Sequence, residues 1–127
     1  MSPERARVFL VEDSGSDLVN ARFLIEHGGH EVIVEARSLS EALSLVPRLQ
    51  EMEINVAVLD GNLSEGKSDG EEGKTVAEEI RALDAGIKIV CFSGNEYDWG
   101  DAFVGKGRAF ITDSVVDNSL PRTIRDL

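Results

Sequence analysis

The stretch Val56-Ala57-Val58-Leu59-Asp60-Gly61-Asn62 constrains this chain more than any other. Apolar, strand-forming residues follow one another without a polar interruption, then stop on a carboxylate with a glycine after it. A strand buried on both faces reads as a continuous apolar run, whereas a half-solvated strand alternates. Burial on both faces requires covering layers above and below, so the run predicts a parallel sheet sandwiched by helices. Ligands of such open α/β sheets gather at the carboxyl ends of the strands, which puts Asp60 on the rim where chemistry is done. A second run, Val8-Phe9-Leu10-Val11, ends the same way on Glu12-Asp13.

The rest of the chain repeats this alternation of strand-like and helix-like segments, the pattern of an α/β sheet. The first strand is expected near Arg7 to Val11. Asp17 is expected to cap the first helix, whose buried stripe is Leu18, Ala21 and Ile25 and whose end is Gly28-Gly29. A second strand, His30 to Val34, alternates and reads as lying nearer a sheet edge. The next helix is expected to open after Ser40, with Ala42, Leu45, Val46 and Leu49 on one face and Pro47 kinking it or starting a new piece. The third strand is Asn55 to Leu59, and the third helix carries Val76, Ile80 and Leu83 inward. The fourth strand runs from Ile87 to Phe92. A final helix has Leu120, Ile124 and Leu127 at helical spacing, with Pro121 tolerable in its first turn.

Composition bounds the function. At 127 residues and 42% hydrophobic content, residues 1–127 are expected to form one domain able to bury a core. A formal charge of −11 disfavours direct nucleic-acid binding, which needs Lys and Arg against phosphates, and suits a divalent cation or a basic protein surface. The lone Cys91 sits inside an apolar run, so a buried, inert thiol in a reducing compartment is expected. With no signal-peptide pattern and no run of membrane-spanning length, the expected location is cytoplasmic and no membrane partner is expected.

If Glu12, Asp13 and Asp60 converge at one rim, they cannot all stay ionised cheaply, so a proton or a cation must neutralise them. Mg²⁺ fits, because it prefers carboxylate oxygens and is often completed by a phosphate. An aspartate beside such an ion can act as a nucleophile toward phosphorus, forming an acyl phosphate. The plainer reading of Glu12 and Asp13 is as caps of the first helix.

Order and spacing extend the argument. Phe9-Leu10-Val11-Glu12-Asp13, Val58-Leu59-Asp60 and Cys91-Phe92-Ser93-Gly94 occur in sequence on matching strands. In this the chain resembles, over nearly its whole length, the receiver domain of two-component response regulators. The resemblance implies a three-layer flavodoxin-like fold with a five-stranded parallel sheet in the order 2-1-3-4-5. It implies Mg²⁺ held by Glu12, Asp13, Asp60 and the backbone carbonyl of Asn62. It implies Asp60 as phosphoacceptor and Ser93 as the switch hydroxyl. The implied partners are a histidine kinase or histidine phosphotransfer protein and a downstream protein target.

The family also needs a lysine after its fifth strand, and two alignments compete. In one, Gly100-Asp101-Ala102-Phe103-Val104-Gly105-Lys106 is the strand, with Lys106 as the phosphate ion pair and Phe103 as the aromatic switch. In the other, Ala109-Phe110-Ile111-Thr112 is the strand, and Asp113 stands where lysine belongs. The second requires a helix through Gly100, Gly105 and Gly107, each costing about 1 kcal/mol in a helix interior, so Lys106 is favoured. The first alignment leaves no room for a full helix between the fourth and fifth strands. Tyr97 and Trp99 then lie on an irregular loop, either as partner anchors or as cover for core left bare.

The segment from Gly61 to Gly73 is polar, acidic and long for a βα connection, which reads as a lid, a docking element or a tolerated insertion. Its likeness to a calcium loop is weak, since Glu65 stands where glycine is needed. Asp60-Gly61-Asn62 lacks the second aspartate of aspartate-based phosphatases, so an enzyme with its own substrate is not expected. The expectation is a stand-alone receiver of a phosphorelay. Its competitor is a pseudo-receiver, an interaction module that signals without phosphorylation.

Overall fold

The computed structural model of the protein describes residues 5–63, 69–106 and 119–127. Five parallel strands, β1 (Arg7–Val11), β2 (Glu31–Ala36), β3 (Val56–Leu59), β4 (Lys88–Ser93) and β5 (Ala102–Gly105), form one sheet in the order β2-β1-β3-β4-β5. Among the described residues the helices are α1 (Gly15–His27), α2 (Leu39–Leu45), α3 (Glu71–Leu83) and α4 (Ser119–Arg125). This is the parallel sheet that the strand pattern implies, in the flavodoxin-like order that the resemblance implies. Among the described residues, no helix is long and apolar enough to cross a membrane.

Side chains alternate between the two covered faces of the sheet. Val8, Leu10, Val56, Val58, Val90 and Phe92 point to the face closed by α1 and α4. Phe9, Val11, Ala57, Leu59 and Ile89 point to the face closed by α2 and α3. All residues of β3 are fully buried, which is why that strand reads as an unbroken apolar run. β2 lies at one edge and is half-buried along most of its length, in keeping with its alternating sequence.

Several boundaries differ from expectation. Ser14, not Asp17, caps α1: its hydroxyl accepts from the Asp17 amide, and Asp17 lies in the first turn. α2 opens at Leu39 behind the cap Ser38, whose hydroxyl accepts from the Glu41 amide, rather than after Ser40. Pro47 lies in a separate 3₁₀ turn, Val46–Arg48, so it starts a new piece rather than bending a helix. The Gly61 to Gly73 segment is shorter as a loop than its composition suggests, because α3 begins at Glu71 behind Gly70. The part of that segment over 64–68 lies outside the described residues, as do the alternative fifth strand at 109–112 and Asp113.

The strand formed before Lys106 is β5, which is shorter than the sequence run around it. Between β4 and β5 the chain runs through Gly94–Asp101 without a helix. Trp99 partly fills the space, packing against the core cluster that contains Ile89 and Val76. Arg81 of α3 holds this connection, donating to the Trp99 carbonyl at 2.6 Å. Cys91 is fully buried, and burial pushes its thiol up to about 12, as an inert thiol requires.

Candidate functional site

The sheet register assembles the site. Val11 pairs with Leu59, and Leu59 with Cys91, so the residues after them emerge side by side at the carboxyl edge. The Asp60 amide donates to the Val11 carbonyl at 2.9 Å and the Glu12 amide to the Ala36 carbonyl at 3.0 Å, which extends the ladders to the rim. Glu12, Asp13 and Asp60 each present a carboxylate oxygen within 4.8 Å of the others. Glu12 is 1% exposed and Asp60 5%, so two charges stand almost out of water.

Lys106 answers them. It follows β5 directly, and its amide donates to the Ser93 carbonyl at 3.0 Å. Its Nζ lies 2.6 Å from Glu12 Oε2, 3.2 Å from Asp60 Oδ2 and 3.4 Å from Asp17 Oδ2. Burial pushes the Glu12 carboxyl up to about 8, the Lys106 bond pulls it down and the Asp60 charge pushes it up again. Asp60 is raised for the same first reason, against the pull of Lys106 and of the Asn62 amide. Burial by itself would lower Lys106, but its bond to Glu12 and the charges of Glu12, Asp60 and Asp17 raise it. The ammonium is therefore a fixed cation.

Ser93, 2% exposed, closes β4 beside this cluster. Asn62 donates its amide N–H to Asp60 Oδ1 at 3.4 Å. α3 approaches the end of β3 so closely that a β-carbon on Gly73 would lie 2.4 Å from the Asp60 carbonyl oxygen, so a side chain there would displace the strand end. Phe103 is half-buried on β5 opposite Cys91 and lines a groove with Gly94, Glu96 and Thr123, apart from the carboxylates. The structure thus brings Glu12, Asp13, Asp60, Ser93, Asn62 and Lys106 to one rim, with Phe103 to the side. Two participants carry other roles in the sequence reading: Asp17, expected as a helix cap, faces Lys106, and Tyr97, expected as a partner anchor or core cover, meets Asn62 through its hydroxyl.

The donor set suits a hard divalent cation: crowded carboxylate oxygens, two of them with raised pKa because burial penalises their charge. Mg²⁺ fits these residues.

Solved structures supply the comparison. A response regulator receiver domain protein (CheY-like) from Methanospirillum hungatei JF-1 superposes with a TM-score of 0.70 at 21% identity, over 96% of this chain and 92% of that one. The signal receiver domain of the putative response regulator NarL from Mycobacterium tuberculosis gives 0.69 at 17% identity, over 98% of this chain and 96% of that one. The fold is that of response-regulator receivers. The isolated REC domain of RcsB from Salmonella enterica serovar Typhimurium, solved with a phosphomimetic, gives 0.68 at 17% identity over 93% and 84%. No family model and no curated protein matches the chain by sequence. At these identities the likeness is one of fold, and chemistry has to be argued from the rim itself.

Proposed function

We propose that this chain is the receiver of a two-component phosphorelay. It accepts a phosphoryl group on Asp60 from a histidine kinase or histidine phosphotransfer protein, in the cytoplasm, and signals by contact with a downstream protein. The observation that carries this reading is the Lys106 ammonium held between Glu12 and Asp60 at 2.6 and 3.2 Å, on the rim of a receiver fold. The ammonium offsets only part of the charge of the carboxylates around it, so the rim still calls for a cation, and that cation together with Lys106 would balance an incoming phosphoryl group.

In the transfer, an Asp60 carboxylate oxygen forms a bond to phosphorus as the donor's N–P bond breaks. The product is an acyl phosphate and a freed imidazole. Glu12, Asp13, Asp60 and the Asn62 carbonyl would hold Mg²⁺, which supplies charge neutralisation for the phosphoryl oxygens. Lys106 stays charged throughout and is placed to pair with the same oxygens. Ser93 offers a hydroxyl on the neighbouring strand that can donate to one of them. A phosphoryl group brings strong acceptor oxygens and extra charge, so it biases any equilibrium in which Ser93 and Lys106 turn toward it. Phe103, on the adjacent strand, is the aromatic that such a turn would carry.

Acetyl phosphate with Mg²⁺, followed by weighing the intact protein, tests the reading. One phosphoryl mass is expected on the wild type and none on Asp60→Asn. No gain, or an equal gain in Asp60→Asn, overturns it in favour of a phosphorylation-independent interaction module.

A further inference from the structure

We propose that Tyr97 is a side wall of the Asp60 site, gating both the arrival of the phosphodonor and the attack of water on the phosphorylated form. The inference rests on the phosphoacceptor reading above. With no helix between β4 and β5, the connection folds its aromatic residues back over the strand ends. The Tyr97 hydroxyl accepts from Asn62 Nδ2 at 3.1 Å, and Asn62 Oδ1 accepts from the Gly70 amide at 3.0 Å. Both ends of the Asn62 amide are thereby engaged, one by the ring and one by the start of α3.

The ring lies against bare backbone. A β-carbon on Gly61 would meet Tyr97 Cε2 at 2.5 Å and Ser93 Oγ at 3.3 Å, and one on Gly70 would meet Tyr97 Cε1 at 2.5 Å. Tyr97 therefore sits directly over the residue that follows Asp60, beside the Ser93 hydroxyl. Trp99 backs it, with ring centroids 6.3 Å apart and planes at 16°.

Hydrolysis of an acyl phosphate requires a water oxygen to bond to phosphorus while the bond from phosphorus to the Asp60 oxygen breaks, releasing phosphate and restoring the carboxylate. Phosphorylation has the same in-line demand with the donor's leaving group. A ring over Gly61, the residue that follows Asp60, narrows both approaches. An Asn62 amide already bonded at both ends is also not free to orient an attacking water.

The test follows phosphorylation by acetyl phosphate and the later decay, by intact mass, in the whole chain and in its Tyr97→Ala and Tyr97→Phe variants. Tyr97→Ala opens the wall, and both rates are expected to rise about tenfold. Tyr97→Phe keeps the ring and the fold but frees the Asn62 amide, and its decay is expected to quicken about threefold, the worth of one ordinary hydrogen bond. A ring that is only structural predicts lowered stability with wild-type rates in whichever variant folds, and that result overturns the gate. Equal rates in all three proteins overturn the gate while leaving the phosphoacceptor reading intact. No phosphoryl on any of them overturns that reading, and the gate with it.

Discussion

At the scale of single residues, the site turns on Lys106. Its ammonium is the near partner of Glu12, Asp60 and Asp17 together, while its side chain is only 20% exposed. Lys106→Met keeps the stem and removes the charge, leaving two buried carboxylates facing each other. It is expected to lower stability by about 2 kcal/mol at neutral pH, less than the full loss of a buried partner because a carboxyl takes up a proton instead. Urea unfolding measures this, and Mg²⁺ should restore most of the loss. An unchanged midpoint would mean the carboxylates do not depend on the ammonium. Lys106 was legible as one of two alternatives, because glycines made a helix before the other one costly. The Tyr97–Asn62 contact was not legible: it joins residues 35 apart through the packing of two loops, and no periodicity announces such a meeting.

At the scale of elements, His30 ties the start of the sheet to the last helix. Its Nδ1 accepts from the Ala6 amide at 2.9 Å, so the ring proton is on Nε2, which donates to the Pro121 carbonyl at 3.1 Å. Burial lowers its pKa below 6.5, with the Arg125 charge adding to the effect. A proton on Nδ1 would abolish the acceptor for Ala6. The unfolded chain takes up that proton near pH 6.5 while the folded one resists, so this stabilisation is present above 6.5 and is lost as pH falls below it. Glu12 acts with the opposite sign: raised from 4.5 to about 8, its contribution is present at low pH and is lost as pH rises through about 8. Comparison with His30→Leu separates the two. Between about pH 7 and about pH 5, denaturant unfolding should show the wild type losing stability relative to that variant. A constant gap would show that the ring titrates as freely folded as unfolded. Element type and order were readable from hydrophobic period. Element ends were less so, because Ser14 and Asp17 are both good caps and the hydroxyl took the position.

At the scale of the whole molecule, a formal charge of −11 sits on a fold whose carboxyl edge concentrates three of the acids. Mg²⁺ is expected to raise the melting temperature with single-site saturation, by an amount corresponding to about 2.7 kcal/mol at a hundredfold excess over its dissociation constant. Asp13→Asn should remove most of that rise, whereas raising monovalent salt should not reproduce its saturation. A rise equal in the variant would place the ion elsewhere on the acidic surface.

The amino-acid sequence by itself determined the layered sheet and the acids at its strand ends, because burial on both faces of a strand and the period of a helix are local properties of residue type, while the strand order came from the resemblance. Only the tertiary structure decided which hydroxyl caps α1, that Asp17 turns to Lys106 and that the Tyr97 hydroxyl meets Asn62. Those outcomes depend on where loops of unequal length land against one another, and that balance is struck among distant side chains rather than along the chain.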